Sequence, residues 1–109
     1  MNSPSGTSGA PIKYANVAAA SDGNQDLIAA VTGKKIRVVG FCLSVDVAGL
    51  VILRDKTADT ARATFKAAGT YSYSGGPSAP AFETIAGDAL EANNAAGTDL
   101  HGFIAYQEV

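Results

Sequence analysis

The sequence has no tryptophan, a single cysteine and a single histidine, and each scarcity removes a class of chemistry. With only Cys42, no intrachain disulfide can close and no cysteine-based metal framework can form. Cys42 lies in the apolar run 38–45, so it reads as a buried, inert thiol, and an unbridged small domain with a free cysteine fits a reducing cytoplasm. With only His101, a Ser-His-Asp or Cys-His device would need that imidazole in a pocket beside a nucleophile. His101 instead occupies an alternating strand position, and its nearest hydroxyl in sequence is Thr98, in a turn. It reads as a surface or interface side chain. Charge of one sign is also missing as a block: 8 basic and 10 acidic residues are dispersed along the chain, for a formal net charge of −2. That leaves no electrostatic footprint for nucleic acid or an anionic membrane. No apolar stretch reaches the ~18 residues of a membrane span. The first residues show neither a basic nor an apolar signal region, so a soluble product of a cytoplasm is expected.

What is present fits one small domain. Hydrophobic residues make up 47% of the chain but only 7% are aromatic, and much of the remainder is alanine. At roughly 25 cal/mol per Å² of buried apolar surface, an alanine-rich core is thin, and oligomerisation is expected to supplement it. Residues 1–11, rich in Ser, Gly and Pro, form an extended N-terminal arm with no regular structure of its own. From residue 12 to 109, strand signals recur every 8–12 residues. They fall at 14–20, 26–32, 35–46, 50–54, 61–67, 70–74, 82–85, 88–93 and 99–108. Segment 35–46, with Ile36, Val38, Val39, Phe41, Leu43 and Val45, is apolar on both faces and should be central. Segment 99–108 places Leu100, Gly102, Ile104 and Tyr106 on one face and His101, Phe103, Ala105 and Gln107 on the other. The expected architecture is all-β, a single jelly roll or sandwich of about eight antiparallel strands.

Patterns that carry chemistry fail specific tests. Asp22-Gly23-Asn24-Gln25-Asp26 opens like a calcium loop, but Leu27 stands where the sharp-turn glycine belongs and Gly33 where a bidentate glutamate is required. Gly75-Gly76-Pro77 cannot cradle phosphate, since proline supplies no backbone donor and no Lys-Ser/Thr follows. Asp55 and Asp59, flanking Lys56, read as a solvated loop. Glu83, Asp88 and Glu91 lie near a turn without the context of a glycosidase pair. No enzyme activity, metal or cofactor is expected.

Two stretches carry a resemblance. Gly33-Lys34-Lys35-Ile36-Arg37-Val38-Val39-Gly40-Phe41-Cys42-Leu43 is one. The other runs from Phe82-Glu83-Thr84 through Ala86-Gly87-Asp88-Ala89-Leu90-Glu91-Ala92 to Gly102-Phe103-Ile104-Ala105-Tyr106-Gln107-Glu108-Val109. Together they resemble small virion proteins of tailed bacteriophages, among them jelly-roll cement or decoration proteins. The resemblance implies a structural role on the capsid exterior, cementing neighbouring major capsid protein subunits as a homo-trimer or homo-dimer, after assembly in the host bacterial cytoplasm. It implies no nucleic-acid or membrane partner. Under it, the arm (Ser3, Pro4, Ser5, Thr7, Pro11) is expected at the interface, and the aromatics Tyr71, Tyr73 and Phe82 around the Gly/Pro-rich loop are expected either to anchor that interface or to fill the core. The alternative is a head-fibre or tail-fibre module recognising host surface glycans.

Overall fold

A computed structural model describes residues 10–19 and 23–109, all of them strand, turn or loop. Among the described residues nine strands form: β1 (Lys13–Ala19), β2 (Gly23–Ile28), β3 (Ile36–Val45), β4 (Val51–Asp55), β5 (Ala61–Phe65), β6 (Gly69–Tyr73), β7 (Phe82–Glu83), β8 (Leu90–Asn94) and β9 (Leu100–Glu108). One sheet has the order β1-β9-β3-β6, with β7 also paired to β3; the other has the order β2-β8-β4-β5. All pairs are antiparallel. These orders define a jelly roll of one five-stranded and one four-stranded sheet, in which successive strands cross between the sheets except at β4–β5 and β6–β7. Of the expected arm, Ser3, Pro4, Ser5 and Thr7 lie outside the described residues.

The core lies between the sheets. Val17, Leu43, Leu100 and Ile104 from the first sheet meet Val51, Leu53, Leu90 and Ala92 from the second. Each fully buried aliphatic side chain contributes about 1.5–3 kcal/mol. At one margin Phe41, Phe65, Tyr71 and Tyr73 extend this core as an aromatic cluster, Phe65 and Tyr71 having ring centroids 4.5 Å apart.

Strand β3 is central, as its composition demands, but the two-sided apolar pattern has a more specific origin. Val38 pairs with Tyr106 and Gly40 with Ala105, leaving Val39 as an extra residue. Such a bulge shifts the side-chain parity. Ile36 and Val38 face the core before it, Leu43 and Val45 after it. The carbonyl of Val39 accepts from Gly76 N. Strand β2 starts earlier than its apolar residues suggest. Asn24 and Asp26 pair with Asn93 and Glu91, while Ala29 and Ala30 are exposed.

Gly102, in β9, lies against the β3 backbone. Its φ is 139°, and a Cβ there would lie 1.9 Å from the Cys42 carbonyl oxygen. Gly102→Ala should therefore cost at least about 2 kcal/mol, measured as a lowered urea midpoint. An unchanged midpoint would contradict the close approach.

Candidate functional site: the outer face of the first sheet

The two outer faces differ in kind. On the second sheet, Asp26, Glu91 and Arg54 form one cross-strand row. Arg54 is held by Glu91 at 2.7 Å and Asp59 at 3.0 Å, and Lys56 by Asp26 at 2.9 Å. The Asn24 side-chain oxygen Oδ1 accepts from Arg54 and from Asn93. This face is a mesh of paired charges.

The outer face of the first sheet is different. Three rows cross it: Tyr14, Ala105 and Gly40; then Asn16, Phe103, Cys42 and Ser72; then Ala18, His101, Ser44 and Thr70. None of these residues is Lys, Arg, Asp or Glu. Tyr14 is 71% exposed and Phe103 45%, and their rings lie 6.3 Å apart as a ridge over β1 and β9. Beside the ridge, over β3 and β6, Gly40, Cys42 and Ser72 floor a hollow of about 600 Å³, closed on its far side by Tyr73, Ser74 and Gly76. Charges appear at the rim and are already matched within the chain, Lys13 with Glu108 at 2.7 Å and Arg37 with Glu83 at 2.6 Å.

The chain enters β1 across this face. Gln107, 2% exposed, donates from Nε2 to the Ala10 carbonyl at 2.7 Å, while its Oε1 is buried with no hydrogen-bond partner among the described residues. The side chain thereby pins the segment preceding β1 over β9, and Ile12 lines the hollow. Pro11 is exposed.

The expected aromatic anchors are distributed differently. Tyr71 and Phe82 are half-buried and pack against the core. The Tyr71 hydroxyl donates to the Ala67 carbonyl, and that of Tyr73 to the Ala79 carbonyl. Of the three, Tyr73 alone borders the hollow. Cys42 is half-buried on the outer face, not sealed in the core. His101 is exposed beside Asp99, 4.0 Å away. Tyr14 and Phe103 were not singled out by sequence. The signal that finds them is the absence of charge at the solvent-side positions of β1, β3, β6 and β9, which emerges once strands are assigned to sheets.

The carboxylates are engaged in structure. Asp55, read from sequence as part of a solvated loop, is 0% exposed. It accepts from Arg62 Nε and Nη2 at 3.0 and 2.7 Å and from Ile85 N at 3.1 Å. Asp88 accepts from the backbone N–H groups of Thr57, Ala58 and Ala89. Among the described residues, no three His, Cys, Asp or Glu side chains group closely enough to hold a metal ion.

The fold and this face define a jelly-roll domain with one uncharged, partly aromatic outer surface. No protein-family model, curated protein or solved structure matches the chain.

Burial pushes the Asp88 carboxyl upward, but the Ala58 and Thr57 N–H groups, with help from Ala89, hold it net below the ordinary carboxylate value. A lowered folded-state value adds stability above the unfolded-state value of about 3.9, and this is lost as pH falls through the folded value. Asp88→Asn turns an amide donor toward those N–H groups and should cost about 1–3 kcal/mol at pH 7. In urea titrations the gap between variant and wild type should narrow at pH 3. A gap of equal size at both pH values would show that the carboxylate charge contributes nothing.

Proposed function

We propose that this chain is a non-enzymatic structural virion protein, binding the outside of a phage capsid and cementing neighbouring major capsid protein subunits. The observation that carries the reading is the uncharged outer face of the first sheet with its Tyr14–Phe103 ridge. Depletion of Lys, Asp and Glu with enrichment of aromatics is the chemistry of a protein–protein contact centre. The stretches that resemble phage virion proteins supply β3 and β9, the two central strands under that face. The segment pinned by Gln107 starts residues 1–9 from a fixed point on the same face. A chain leaving such a point suits bridging to a neighbouring subunit, where main-chain pairing needs no special side chains, and repetition over a lattice adds avidity.

The glycan-recognising alternative draws on one observation, the hollow bordered by Tyr14, Tyr73 and Phe103. A cryo-electron density map of the virion separates the two. Density bridging capsid subunits on the outer shell supports cementing; density at a fibre tip alone overturns it in favour of the alternative.

Particles lacking the protein should release DNA at a lower temperature than decorated ones, and equal release temperatures would count against cementing. Deleting residues 1–11 should weaken attachment. Gln107→Leu should do so in part, with little change in folding stability, because it removes the tether and the unpaired buried acceptor together.

A further inference from the structure

The geometry points to a second copy of this chain as the occupant of the uncharged face, paired about a two-fold axis running along the strands between β9 and β3. The inference rests on reading this face as a protein contact, gives it to a second copy, and leaves the contact with the shell to the arm that precedes the Gln107 tether.

The ridge of Tyr14 and Phe103 stands over β1 and β9, and the hollow lies over β3 and β6. A two-fold axis in the interface plane exchanges the two halves, so each ridge meets the other copy's hollow. Within the rows already described, Phe103 then faces Cys42, Asn16 faces Ser72 and His101 faces Ser44 of the second copy, while Ala105 and Gly40 are already buried within each chain. The Phe103 ring is set against the smaller Cys42, and Tyr14 enters the space beside Ser74 and Gly76. This is the self-complementarity an isologous contact requires, and small residues allow two sheets to stack about 10 Å apart.

A surface laid against its own copy brings like groups near one another around the axis. The three rows carry no Lys, Arg, Asp or Glu, so no like-charge repulsion arises, and the rim charges are already paired within each chain. The face of the second sheet, with its fixed ion pairs, would have to break or accommodate them.

Four strands about 4.8 Å apart, crossed by rows about 7 Å apart, make a floor of roughly 400 Å² in projection. With its rings this is roughly 600 Å² of accessible surface per copy, so about 1,200 Å² for the pair, the lower end of specific interfaces. A reversible dimer is expected, not an obligate one.

Sedimentation of the purified full chain tests this. At about 100 µM, a concentration suited to a contact of this size, wild type should run as a dimer. Phe103→Glu should run as a monomer with unchanged circular dichroism and melting, and Thr64→Lys, on the outer face of the second sheet, should remain dimeric. Asn16→Lys and Ser72→Glu should each be monomeric alone and should pair when mixed, which tests the register independently of any single variant's folding. A monomeric wild type, or a dimer that survives Phe103→Glu, overturns the inference. Binding of the same proteins to undecorated phage shells separates it from the cementing role. A monomeric wild type whose shell binding is abolished by Phe103→Glu assigns the face to the capsid. A wild type that dimerises through this face yet never binds shells removes cementing and leaves the dimer.

Discussion

The antiparallel pairing of β3 with β9 holds the rest of the fold in place. These strands come from opposite halves of the chain and run side by side from Ile36–Glu108 to Val45–Leu100. They bury Leu43, Val45, Leu100 and Ile104 on one side and present Cys42 and Phe103 on the other. Gly102 lets the two backbones approach, and the extra residue at Val39 keeps both halves of β3 turned to the core. Strand β1 attaches along β9, and β6 and β7 along β3. An error in the central pairing would therefore rotate the core and the outer face together.

A second constraint sits where β4 and β5 meet the segment before β8. Asp55 and Asp88 bind Arg62 and the backbone N–H groups of Thr57, Ala58, Ile85 and Ala89. Buried carboxylates of this kind fix loops by accepting hydrogen bonds that no other group supplies there. Losing one partner leaves the other desolvated, with effects of about 3–5 kcal/mol for a buried ion pair. Thr84 acts similarly, its hydroxyl accepting from Ile36 N. The loops of one end of the sandwich are thus tied to the sheets by polar contacts, which a small core with few large side chains cannot do alone.

How much of this was legible in sequence differs by element. Strands β3, β5 and β9 stand close to their expected positions because β-branched and alternating patterns report backbone extension directly. Strand β2 was displaced, since Leu27 to Val31 looked like its apolar centre while Ala29 and Ala30 are exposed and polar Asn24 and Gln25 make the pairing. Asp55 looked solvated because its counter-ion, Arg62, lies seven residues away across a strand pair. Tyr71 and Phe82 were correctly placed beside the Gly/Pro-rich loop, but which way they point depends on the register with β3. The uncharged face was hidden because it is assembled from four strands distant in sequence, each contributing two or three unremarkable positions.

The edge opposite β1 has a further consequence. It is built from β6 and β7, two short pieces separated by the Gly75–Pro80 loop, with Gly76 N and Ala81 N donating to the Val39 and Val38 carbonyls. An incoming strand there would find at most five residues in register before meeting the loop, whereas β1 offers seven without a break. Strand-by-strand extension of this sheet is blocked on one side, so head-to-tail stacking through these two edges into a continuous fibril lacks one of the two surfaces it needs.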